Sequence, residues 1–412
     1  MKLFASLFLV LVACAGSTER LVPDVQPSVA PPSASSAPAP TATTADLAKR
    51  DNTLGFDLWK ALAHDHPGNL ALSPASIAVA FGMTYAGARG PTADLMRRVL
   101  HLDGMDPHKA AGELLAQWNA PGKPYQLRVA NQLFGERSMR FTSPFTALLA
   151  DAYRAALEPV DFSGAPDAVR SHINDWAADH TEQRIKDLLP AGSIDGDTRL
   201  VLANAIYFKG QWAQKFEPAR TATGTFHASG HDTSAPFMHQ HGVFRYGKTD
   251  GAQILELPYV GDDLVMTIVL PDGDLPSLER TLDEVTLDQL IASLHGADEV
   301  DVTLPRFTLA SPSLSLKQAF VALGMGDAFE AGQADFSGMT SDDHLFISDA
   351  FHKAVVEVNE EGTVAAAATA VVMTRESMHL VPSFVADRPF MFFVRDLRSN
   401  AVLFMGRVVD PT

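Results

Sequence analysis

The chain has 412 residues, with 49 Asp plus Glu against 32 Lys plus Arg, and a formal net charge of −17. An acidic surface repels phosphate, which argues against nucleic acid as a partner and leaves solubility as the meaning of the charge. With a single cysteine, Cys14, no intramolecular disulfide can form, so the fold must stand on its core.

Residues 1–13 place Lys2 before an apolar run, Leu3 to Val12, that is too short to span a bilayer as a helix and reads as an export signal. Leu11-Val12-Ala13-Cys14 resembles the bacterial lipobox, in which Cys14 would carry a lipid. The chain would then be anchored to a bacterial membrane, with its domain outside the cytoplasm. The alternative is a plain signal peptide with an incidental cysteine. Residues 14–45 are rich in Pro, Ala, Ser and Thr and cannot bury enough surface to offset ordering entropy, so they are expected to form a tether. Residues 46–412 contain no second linker of this kind and read as one large domain.

Leu54, Leu58 and Leu62 repeat with Trp59 on an amphipathic helix that ends before His66-Pro67-Gly68. Asn69 to Ile77 is a short strand running into a helix, with Pro74 just inside and Ser73 suited to cap it. That helix runs past Met83 and Tyr85 to a turn at Gly87 to Thr92, and another follows through Leu95 and Leu100. Gln126 to Phe134 predicts a strand, Ser143 to Ala156 a helix, and Ala168 to Leu189 a longer helix. Arg199 to Gly210 is a near-continuous apolar run, as expected for a strand covered on both faces. Further strands are predicted at Gly242 to Tyr246, Ala252 to Pro258, Leu264 to Leu270, Glu299 to Thr308 and His344 to Asn359. Met391 to Arg395 and Ala401 to Val408 close the chain as a hairpin around Ser399-Asn400. Helices early and strands late give an α+β domain.

Gly242 to Thr249 satisfies the Walker A spacing, but its intervening residues are bulky and alternating and another strand follows, so a phosphate cradle is not expected. His239 and His241 form a His-x-His pair that could ligate zinc, yet no cysteine or acidic cluster accompanies it, and a solvated loop is the favoured reading. Neither a metal nor a cofactor is expected. Ser73, Ser76 and His352 could be assembled into a hydrolase site, but the chain lacks a Gly-x-Ser-x-Gly elbow. Hydroxyls at a helix start more often satisfy backbone groups.

One stretch near the C-terminal end stands out. From Thr363 to Thr374 there are twelve residues with no charge, proline or glycine. Four consecutive alanines favour helix, whereas Thr363, Val364, Thr369, Val371 and Val372 are β-branched and resist it, so propensity leaves helix and strand open. As a strand, one face would carry Thr363, Ala365, Ala367, Thr369, Val371 and Met373, and neither face forbids burial.

The hinge Glu360-Glu361-Gly362-Thr363-Val364-Ala365-Ala366-Ala367-Ala368-Thr369 resembles the proximal reactive-loop hinge of inhibitory serpins. Asn204 to Trp212, Ile347 to Ala354 and Phe384 to Phe390 match further signatures of that family in family order, and the resemblance covers about Asp46 to Thr412. It implies a serpin fold: a large central mixed or antiparallel sheet, further β-sheets, about eight or nine helices and a mobile reactive-centre loop. It implies a monomer that inhibits serine or cysteine proteases as a suicide substrate through a covalent complex. It also implies that Ser73, Ser76, Asn204 and His352 form a shutter beneath the sheet, that Trp212 lies where insertion begins, and that Arg306 pairs with Glu360 there. The family's usual spacing from Glu360 puts the scissile bond at Glu376-Ser377, with Arg375 and Met378 as alternatives. Non-inhibitory relatives often carry bulky, charged or proline hinge residues, and this hinge has none after Gly362; a non-inhibitory binding or chaperone-like serpin is the alternative.

Overall fold

The computed structural model describes residues 42–340, 345–363 and 381–412. The export signal, the tether and Cys14 lie outside the described residues, as do Val364 to Thr369 and the candidate scissile residues Arg375, Glu376, Ser377 and Met378. Nine α-helices and seventeen strands occur among the described residues, as an α+β domain requires.

Two sheets carry the architecture. The first has nine strands and runs from Leu70–Leu72 through the C-terminal hairpin, Phe390–Asp396 and Val402–Val408, to the edge strand Ser383–Val385. The second, the central sheet, has eight strands of mixed direction. Its middle strand is Leu200–Gln211, paired antiparallel with Gln126–Glu136 on one side and parallel with Phe351–Lys353 on the other.

The apolar run of Leu200–Gln211 is buried on both faces, as its composition predicts. Alternation sends Leu202, Ile206 and Phe208 into the main core and Val201 and Ala203 into a second cluster with Ile173 and Ala177 of the helix Pro166–His180. That helix covers one face of the sheet, and the helix Pro74–Tyr85 packs beneath the other.

The largest differences from the predicted elements are these. The helix foreseen from Ala168 to Leu189 stops at His180, because Glu182 and Gln183 take positive φ (48° and 64°) and end the helical path. The strand Glu299 to Thr308 is two strands, Ala297–Pro305 and Phe307–Ala310, broken at Arg306. The strand foreseen from His344 to Asn359 is short and split, Phe351–Lys353 and Val355–Asn359, because its halves serve different neighbours. His239 and His241, expected in a loop, sit on the long strand His231–Thr249. That strand also contains the Walker-like spacing, so no helix follows it to bind phosphate.

Candidate functional site

The residues singled out above meet at two places along the central sheet. The lower place is under Leu200–Gln211. Ser73 caps the helix Pro74–Tyr85, its hydroxyl accepting the Ser76 N–H at 3.3 Å. Asn204 and His352 stand opposite one another on parallel strands. The Ser76 hydroxyl donates to Asn204 Oδ1, while Asn204 Nδ2 donates to the Ser76 carbonyl at 3.0 Å and to Asn131 Oδ1 at 2.6 Å. His352 Nε2 accepts the Ser73 backbone N–H at 3.1 Å. One helix start is thereby tied to both strands.

All four side chains are buried. Burial lowers the His352 pKa from its ordinary 6.5 to about 4, so the ring is neutral, and its Nδ1 has no hydrogen-bond partner among the described residues. Neither serine hydroxyl is bonded to the imidazole, so the nucleophile and base pairing of a hydrolase is not assembled.

Above this place the two strands part. Their pairing ends at Lys353 opposite Ala205, and among the described residues no rung joins 206–209 to 354–357. At the top of the gap a new two-residue strand, Gly362–Thr363, lies between them. Gly362 pairs with Gln211 on one flank and Asn359 on the other, and Thr363 pairs with Gly210 and Val358. The hinge therefore already occupies the first positions of an additional central strand.

Local chemistry explains why these two residues fit. Gly362 has φ +147°, and a Cβ there would fall 2.1 Å from the Gly210 carbonyl oxygen, so only glycine can enter. Thr363 is buried, with its hydroxyl 2.9 Å from that of Tyr259. Burial raises the Tyr259 pKa and keeps the phenol protonated, so either hydroxyl can donate to the other.

The turn before the hinge is clamped. Trp212, stacked on Tyr259 at 4.6 Å between centroids, donates its indole N–H to the Asn359 carbonyl at 2.9 Å and its backbone N–H to the Glu361 carbonyl at 2.9 Å. Glu360 accepts from Arg306 and from Thr221 Oγ1 at 2.6 Å. Burial pushes its carboxyl pKa up, but the bonds from Arg306 and Thr221 outweigh this and hold it below the ordinary carboxylate range. Glu361 pairs with Lys215 at 2.6 Å. Tyr259, Thr221, Lys215 and Asn131 escaped the sequence reading, since each is joined to the site only through the fold.

A family model described as Serpin (serine protease inhibitor) matches residues 49–411. Serpin B6 of Macaca fascicularis is 42% identical over 378 residues, covering 89% of this chain and 99% of the relative. The leukocyte elastase inhibitor of Bos taurus is 41% identical over 378 residues, with the same coverage of 89% and 99%. Among solved structures, uncleaved ovalbumin superimposes with a TM-score of 0.82 at 30% identity, covering 89% of this chain and 100% of that one.

Two outcomes follow from the geometry. Gly362→Ala should expel the hinge from the sheet. Amide hydrogen exchange at Gly362 and Thr363, slow in the wild-type protein, should become fast in the variant, and equal protection in both would contradict the steric argument. His352 is neutral when folded, with its pKa depressed from 6.5 to about 4. Its contribution to stability is therefore complete above pH 6.5 and is lost as pH falls toward 4. The loss amounts to about 3 kcal/mol. Urea unfolding of the wild-type protein and His352→Gln across that window should show the variant's pH dependence flattened by this amount.

Proposed function

The chain belongs to the serpin family, and from that membership we propose that it is an inhibitory serpin, a suicide substrate for a serine or cysteine endopeptidase. The protease nucleophile attacks the Glu376 carbonyl, with Arg375 and Met378 as the alternative sites. An acyl-enzyme ester or thioester forms, and the segment beginning at the next residue leaves as a new amino terminus. The freed hinge then enters the central sheet and draws the enzyme with it before water can deacylate it.

The observation that carries this reading is the register of Gly362–Thr363. Continued down the gap after cleavage, it would set Ala365 between Phe208 and Val356, Ala367 between Ile206 and Ala354, and Thr369 between Asn204 and His352. Thr363 is buried, as are these flanking residues, so the inserting face meets a lined slot. Alanine and threonine can occupy it without a charge or a large side chain to desolvate. Val364 to Ala367 would fill rows in which no rung has to break. From Ala368 onward the rungs Lys353–Ala205, His352–Asn204 and Phe351–Ala203 must open. The polar cluster of Ser73, Ser76, Asn204 and His352 then acts as a latch, and Thr369 Oγ1 arrives beside the unpartnered His352 Nδ1.

We also read the protein as a monomer, exported and held to a bacterial membrane by lipid on Cys14. Metabolic labelling with a fatty acid, lost in Cys14→Ser, is the expected result for the anchor.

Incubation with trypsin-, elastase- and glutamyl-specific proteases should give an SDS-stable adduct with at least one of them. Mass spectrometry of the released C-terminal peptide should begin at Ser377. Clean cleavage by every protease that cuts the loop would remove inhibition as the function. Thr363→Arg places a charge at a buried position, costing several kcal/mol without a partner. It should convert the inhibitor into a substrate, with cleavage retained and adduct lost.

A further inference from the structure

The strand His231–Thr249 carries His239 and His241 two residues apart, which puts both imidazoles on one face of its sheet. The adjoining strand Ala297–Pro305 sets Thr303 opposite His239 and Asp301 opposite His241. The side chains meet across this register: His239 Nδ1 is 3.0 Å from Thr303 Oγ1, and His241 Nδ1 is 2.9 Å from Asp301 Oδ1.

This arrangement selects a tautomer. An ionised carboxylate only accepts, so Asp301 holds the His241 proton on Nδ1 and leaves the lone pair on Nε2. The Thr303 hydroxyl can donate or accept, so His239 can adopt the same form at no cost. A carboxylate or oxygen acceptor behind each imidazole is the support that metal-bound histidines have. Neither Nε2 has a hydrogen-bond partner among the described residues, and His241 is exposed to solvent.

We propose that His239 and His241 form a two-histidine site for a divalent transition-metal ion of the zinc type, bound through both Nε2 atoms and oriented by Asp301 and Thr303. Imidazole suits Zn, Cu and Ni, whereas Mg and Ca prefer oxygen. No group of three or more His, Cys, Asp or Glu suited to a metal occurs among the described residues, so the site is open. Its remaining positions fall to water or to a side chain of a bound protein. The location gives the ion a neighbour of consequence. Asp301 stands opposite Ser383 and donates its backbone N–H to the Pro382 carbonyl at 2.9 Å, so the ion sits on the sheet that receives the chain after the reactive-loop segment.

The test is calorimetric titration of the full chain, purified without a histidine tag, with zinc. Saturable binding of one ion is expected at this site, and it should be lost in His239→Asn and in His241→Asn with thermal unfolding unchanged. Asp301→Asn should weaken it by about tenfold, as loss of an orienting partner does. The chain's other His-x-His pair, His64-Asp65-His66, lies in the turn after the first helix and serves as a control, so His64→Asn should leave the site's affinity unaltered. Absence of saturable binding in the wild-type protein, or binding that survives both His239→Asn and His241→Asn, would overturn the proposal. The result does not depend on whether the chain inhibits a protease.

Discussion

Two residues, Gly362 and Thr363, hydrogen-bond on both edges to strands that pair directly with one another only further down. Backbone N–H and C=O groups demand partners, and a sheet opened along part of its length offers two facing edges that one extra strand can satisfy. A hinge seated at the mouth of that opening has already met the entropic cost of finding the register. In the proposed mechanism what would remain is extension, row by row, against the resistance of whatever still ties the strands together.

That resistance is local and polar. Asn204 and His352 are bound to the start of one helix through Ser73 and Ser76, so parting the strands means breaking several buried hydrogen bonds together. Buried networks of this kind are costly to leave half-satisfied, which makes the opening steep rather than gradual. The top of the gap is governed differently, by Trp212 on Tyr259 and by the ion pairs Arg306–Glu360 and Lys215–Glu361, which fix the turn from which the hinge departs. In the proposed mechanism the clamp would set where insertion starts, and the latch how far it goes without cleavage.

Much of this was legible in the amino-acid sequence because it is written in local composition. The Ser73-Pro74 helix start and the apolar run of Leu200–Gln211 each state their environment within a few residues. Tyr259 could not be read in this way, since its bond to Thr363 joins residues 104 apart in the sequence and follows no periodicity. Thr221 and Lys215 are likewise ordinary surface residue types until the fold brings them to the hinge. The strand expected from His344 to Asn359 was overextended because a run of β-formers does not reveal that its two halves have different neighbours. The loop expected at His239 and His241 is a strand, because His, Gln and Gly hide an alternation that the register with Ala297–Pro305 makes plain.

In the proposed mechanism the sheet stores an unfilled position that the hinge segment completes once it is freed. Thermal unfolding of the chain before and after a single cut between Thr374 and Met378 tests this directly, with the nicked chain otherwise intact. A marked rise in melting temperature after cleavage is the predicted result. An unchanged melting temperature would mean that the segment after Thr363 does not enter the sheet, and would contradict the account.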